Sequence, residues 1–125
     1  MLNFNSVLIF SEDPEKLRDF YKRAFQKDPD MGEGGYYGFA VGTAFITIGP
    51  HDKVKGKASN PERIMLNLET NDVEKEFERI EKLGAEVIAK PYSMEGMEEY
   101  VIATLADPDG NYFQLVTPWE SDGKN

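Results

Sequence analysis

The sequence predicts an α+β fold made of two tandem βαβββ modules. Three observations point there. Strand-like and helix-like stretches follow one another in the order strand, helix, strand, strand, strand, twice within 125 residues. Each helix opens with the same Asp-x-Glu-Lys signature at the same distance from its preceding strand. Each half closes on an alternating strand, Phe45-Ile46-Thr47-Ile48 and Tyr112-Phe113-Gln114-Leu115.

Residues 2–10 read as the first strand. Asp13-Pro14-Glu15 starts a helix, with an acidic cap, Pro at the first helical position and an acid in the first turn. Leu17, Phe20, Tyr21, Ala24 and Phe25 give it one buried stripe, and Pro29 ends it near Gln26 to Asp28. Residues 31–38 read as punctuation, with a short strand there completing the pattern. Residues 36–41 and 44–49 form a hairpin across Gly42-Thr43. A polar connector over 51–61 separates module one (2–50) from module two (62–118), and a polar tail spans 119–125.

In module two, residues 63–69 alternate. Ile64, Leu66 and Leu68 are expected to face a helix, and Met65, Asn67 and Glu69 the opposite side. Asn71-Asp72 caps a helix whose stripe is Val73, Phe77, Ile80 and Leu83, with Glu78 and Lys82 as i,i+4 partners and Gly84 closing it. Strands follow near 86–90, 98–105 and 111–117, the last two joined by the turn Asp107-Pro108-Asp109-Gly110-Asn111. Placing Ser6 on Met65 brings Ser11 onto Thr70, Asp13 onto Asp72, Glu15 onto Glu74 and Lys16 onto Lys75.

Composition narrows the function. Twenty-three acidic against fourteen basic residues give a net charge of −9. That opposes nucleic acid, which needs a basic patch, and an anionic membrane surface. With no cysteine there is no disulfide, thiol nucleophile or zinc–thiolate site. This suits a cytoplasmic setting. The longest unbroken run of aliphatic or aromatic residues is Val7 to Phe10, so neither a signal peptide nor a membrane span is expected. One histidine, His51, leaves no two-histidine metal site within the chain.

The runs Val7 to Lys16 with Phe20-Tyr21, Leu68 to Val73, Leu83-Gly84-Ala85-Glu86-Val87, Pro91 and Asp107 to Asn111 before Phe113-Gln114-Leu115 carry a resemblance. The chain resembles the vicinal oxygen chelate superfamily, the glyoxalase/bleomycin resistance/dioxygenase fold, over about residues 2–118. The resemblance implies paired modules whose curved mixed sheet forms a cup, with helices outside and a ligand inside. It also implies a homodimer. It places the metal ligands of metal-dependent members at Ser6, Thr47, Met65 and Gln114. Only Gln114 keeps a family-like ligand. Two hydroxyls and a thioether suit a divalent ion poorly, so no metal and no cofactor is expected.

The remaining candidates come from strand alternation and, for Tyr37, Tyr92 and Trp119, from their aromatic character. Ser6, Phe10, Tyr37, Phe45, Thr47, Met65, Asn67, Glu69, Tyr92, Gln114 and Trp119 are candidate ligand-binding residues. Glu69 and His51 are candidate general bases, although a strand-end carboxylate and a lone loop histidine are more often simply solvated. Lys53, Lys55 and Lys57 form a local basic run beside His51. Tyr92 to Met97 is a Met-bearing segment that can adapt to varied ligands. The leading expectation is metal-independent binding of a small organic ligand, cationic or aromatic, as in sequestration of a drug or metabolite. The alternatives are a lyase or isomerase using Glu69 or His51, and a non-catalytic partner-binding module.

Overall fold

Each half of the chain builds one four-stranded mixed sheet with one helix packed on it. This is seen in a computed structural model that describes residues 1–118. The chain divides into two compact units, the first ending at Lys57 and the second starting at Ala58.

In the first unit the elements are β1 (Ser6–Ser11), α1 (Pro14–Phe25), β2 (Met31–Glu33), β3 (Tyr36–Val41) and β4 (Ala44–Pro50). The sheet order is β1-β4-β3-β2, with β1 parallel to β4 and the other pairs antiparallel. The Asp13 carboxylate accepts the Lys16 N–H at 3.2 Å and fixes the start of α1. Leu17, Phe20, Tyr21 and Ala24 then bury against Phe39, Ile46 and Ile48. The Phe25 ring stands edge-on to Phe39, with centroids 5.4 Å apart.

The second unit runs β5 (Leu66–Glu69), α2 (Val73–Glu81), β6 (Glu86–Met94), β7 (Met97–Ala106) and β8 (Tyr112–Val116), in the order β5-β8-β7-β6. Asp72 caps α2 through the Lys75 N–H at 3.1 Å. Before each cap a hydroxyl, Ser11 or Thr70, accepts the N–H of the capping aspartate. Val73, Phe77 and Ile80 bury on the same side as Leu105, Phe113 and Leu115.

The internal repeat extends to sheet register. Val7 pairs with Ile46 and Leu8 with Thr47; Leu66 pairs with Phe113 and Asn67 with Gln114. These are the same positions under the sequence superposition, so the parallel pair is built identically in both units.

Several element limits differ from expectation. The first strand starts at Ser6, not Leu2, because its partner β4 starts only after the Gly42 turn and offers residues 2–5 no ladder. Leu2 and Phe4 are accordingly exposed. β5 starts at Leu66, not Arg63, because the chain is still turning through residues 61–64. Ile64, expected to face a helix, is 77% exposed. β6 continues to Met94 because Gly96, at φ +85°, lets it fold back onto β7. α2 ends at Glu81, leaving Leu83 half-buried beyond it, and Gly84 turns the chain at φ +103°. The ion pair on α2 joins Glu76 and Arg79 at 2.8 Å, while Lys82 meets Glu78 through its backbone N–H. The tail over 119–125, including Trp119, lies outside the described residues.

Candidate functional site

A sheet with one helix packed on it has a second face whose side chains the core does not dictate. The strand pairing identifies these residues in each unit.

In the first unit that face carries Ser6, Leu8 and Phe10 from β1, Phe45, Thr47 and Gly49 from β4, and Tyr36, Gly38 and Ala40 from β3. Apart from the Ser6 and Thr47 hydroxyls it is aromatic and apolar. Gly38 lies under the Phe45 ring, where an added Cβ would come within 2.7 Å of ring carbons. Gly49 lies under the Tyr36 ring in the same way. The missing side chains let both rings lie flat on the sheet. Leu8 remains 57% exposed among them.

His51 follows β4 and stands edge-on to Phe10, with ring centroids 5.1 Å apart. Its Nδ1 accepts the Lys53 N–H at 3.1 Å and lies 3.4 Å from Asp52 Oδ1. The connector is held down nearby, because the Gly56 N–H donates to Glu12 Oε1 at 2.8 Å.

The corresponding face of the second unit is polar along its central row. Asn67, Gln114 and Thr104 lie side by side on β5, β8 and β7. The Gln114 amide Nε2 donates to the Thr104 hydroxyl at 3.1 Å, and Thr104 is buried. Glu69 is exposed at the end of β5, beside Val116. Tyr92 is exposed on β6, opposite Ile102.

The turn after β7 is held by Asp107. Its buried carboxylate accepts from the Asp109 and Asn111 N–H groups and from the Asn111 side chain. These bonds make the segment an Asx turn, not a cation loop.

Of the candidate ligand-binding residues, Ser6, Phe10, Phe45 and Thr47 share the helix-free face of the first unit. Asn67, Glu69, Gln114 and Tyr92 lie on that of the second. Met65 sits half-buried just ahead of β5. Tyr37 departs from expectation. It pairs with the core residue Ile48, so its ring lies on the helix side of the sheet, and its neighbour Tyr36 takes the helix-free face. The Arg18 guanidinium carbon lies 4.6 Å above the centroid of the Tyr37 ring. The hydrogen bond from Arg18 to Asp19 raises the Arg18 pKa above its already high ordinary value, against the opposing effect of burial.

Thr104 and Gly49 have no place among the sequence candidates, whereas the stretch Tyr36-Tyr37-Gly38-Phe39 reads as a pocket candidate without a face assigned to each residue. Thr104 was reachable in principle, because pairing the last two strands across the Asp107 turn sets it opposite Gln114. The ring-over-glycine packing leaves no local sequence signal.

The positions that the resemblance assigns to metal can be judged on their chemistry. Ser6 and Thr47 offer neutral hydroxyls, Met65 a thioether, and Gln114 an amide already bonded to Thr104. Among the described residues no group of three or more His, Cys, Asp or Glu could hold a metal ion. This donor set does not fit a divalent cation.

Two four-stranded mixed sheets, each with a parallel outer pair and a helix on one face, define the βαβββ class of α+β proteins. The chain belongs to the glyoxalase-like domain family, whose model matches residues 6–116. Solved structures share the fold. A glyoxalase/bleomycin resistance protein/dioxygenase family enzyme from Burkholderia phytofirmans is 21% identical. It covers 90% of this chain and 96% of its own, with a TM-score of 0.74. A glyoxalase-related enzyme from Fulvimarina pelagi is 16% identical over 98% of this chain and 95% of its own, with a TM-score of 0.76. A genomically encoded fosfomycin resistance protein from Listeria monocytogenes is 18% identical over 95% of each chain, with a TM-score of 0.73. No curated protein matches the chain. Among the described residues no helix is long and apolar enough to cross a membrane.

Proposed function

We propose that this protein binds a small organic ligand on the helix-free faces of its sheets without a metal ion, in the manner of a sequestering protein. The observation that carries the reading is the make-up of those faces. One is aromatic and apolar, and the other bears a row of amide and hydroxyl groups. Across the eight strands Lys90 on β6 is the sole lysine or arginine. Exposed aromatic and apolar surface on the one, and fixed amide and hydroxyl groups on the other, each suit a neutral or cationic organic molecule. A phosphonate such as fosfomycin would need cationic partners, and the strands provide almost none. The net charge of −9 and the lack of cysteine support an acidic, cytoplasmic protein that binds neither nucleic acid nor membranes. A homodimer belongs to the same reading, and light scattering of purified protein tests it.

A thermal-shift screen of aromatic, cationic and anionic compounds, run with and without EDTA, tests the proposal. The expected result is stabilisation by aromatic or cationic compounds that EDTA leaves unchanged and that Thr104→Val or Gln114→Ala reduces. Stabilisation that requires a divalent metal would overturn it.

His51 supports a second reading, metal-free proton transfer in a lyase or isomerase, because its ring is held beside Phe10 at the end of the aromatic face. Glu69, the other candidate base, is exposed at the end of β5, and the His51 side chain is itself 43% exposed. Turnover abolished by His51→Ala would favour catalysis over binding.

A further inference from the structure

The cations that the strands lack lie elsewhere, and two of them line a cleft. On the helix side of the first unit, Arg18, Asp19 and Lys22 of α1 meet Pro29, Gly32 of β2 and Tyr37 of β3 around a space of about 430 Å³. That is the size of a small-molecule site. We propose that this cleft is a separate binding site for a planar organic carboxylate.

Three features carry the inference. Arg18 is pre-positioned, with its guanidinium stacked 4.6 Å from the Tyr37 ring centroid and its Nε and Nη2 bonded to Asp19 Oδ1 at 2.9 and 2.8 Å. The Nη1 donors take no part in that pairing. A guanidinium edge matches a carboxylate, and the aromatic platform beneath it favours a flat ligand. Lys22, one helical turn on, pairs at 3.0 Å with Asp28, whose side chain is 80% exposed. Such a surface pair is weak enough for an entering carboxylate to exchange with it. Gly32 pairs with Tyr37 across β2 and β3, and its missing side chain keeps the space beside the ring open. A Cβ there would sit 3.5 Å from the ring, an ordinary contact, so the cleft can be filled without disturbing the fold.

The site lies on the opposite side of the sheet from the aromatic face and does not depend on the function proposed for that face. It also gives Tyr37 a role in binding, on the side of the sheet where the structure places it.

The test is a titration of the full chain with benzoate, followed by amide chemical shifts, with benzamide as the uncharged isostere. The expected result is saturable shifts at Arg18, Lys22, Gly32 and Tyr37, and at least about tenfold weaker binding of benzamide. Arg18→Gln should weaken benzoate by about tenfold, and Gly32→Val should block it while the melting temperature holds. Should Gly32→Val misfold, Lys22→Gln, a surface change, serves in its place and should weaken benzoate severalfold. Equal binding of benzoate and benzamide, no saturable shift at these amides, or unchanged affinity in Arg18→Gln would overturn the proposal.

Discussion

The two units share a backbone plan and differ in what covers it. Along the central row of the helix-free face the first unit sets Leu8, Thr47 and Gly38 side by side, where the second sets Asn67, Gln114 and Thr104. One row further on, Phe10 and Gly49, roofed by Tyr36, correspond to Glu69 and Val116. The helix sides stay alike, with Ile46 matching Phe113 and Ile48 matching Leu115 as buried apolar residues. A side chain under a helix must fill a fixed volume. One on the other face is free of that constraint, so that is where the repeats have room to differ.

If the helix sides are equivalent, emptying them should cost the same. Phe39→Ala in the first unit and Phe113→Ala in the second each remove a fully buried ring. Each should lower the unfolding free energy by about 3–5 kcal/mol in denaturant titrations. A several-fold difference between them would break the equivalence.

The hairpin turns separate the units more finely. The β3–β4 turn rests on backbone alone, with Gly42 at φ +59°, whereas the β7–β8 turn rests on the Asp107 side chain. Asp107→Ala leaves two backbone N–H groups without their acceptor and should cost about 2–3 kcal/mol. Gly42→Ala forces an alanine into the left-handed region and should cost about 1 kcal/mol. Reversal of that order would show that the second turn is held by something other than its carboxylate.

The smallest contrast is in acid sensitivity. In the first unit the Ala40 N–H, and then Lys27, hold the Asp30 carboxyl below its ordinary 3.8. In the second, the Gly96 N–H does the same for Glu98, ordinarily 4.5. In both, the folded pKa lies below the unfolded one. The stabilisation is therefore complete above the ordinary value and is lost as pH falls through the folded value. Asp30→Asn and Glu98→Gln should each flatten the loss of stability as pH falls through and below the ordinary carboxylate range, Asp30→Asn at the lower end. Matching pH profiles for variant and parent would contradict the assignment.

Much of this architecture is legible in the sequence. Asp13 and Asp72 announce both helices, and the aligned strands give the parity of Ser6, Thr47, Asn67 and Gln114. Strand starts are not legible, because alternation continues through Phe4 and Ile64, where no partner strand exists to pair with. Tyr36 and Tyr37 could not be told apart, since two adjacent tyrosines satisfy either parity. Only the register of Tyr37 with Ile48 decides between them. The pairing of Arg18 with Tyr37 joins residues from different elements and leaves no mark in the local pattern.

The most direct test of metal-independent binding is elemental analysis of untagged protein together with ligand titration of Gln114→Ala. The expected result is no stoichiometric zinc, iron, manganese or nickel, and organic-ligand binding that survives chelation. Stoichiometric metal in the parent protein, lost in Gln114→Ala, would contradict it.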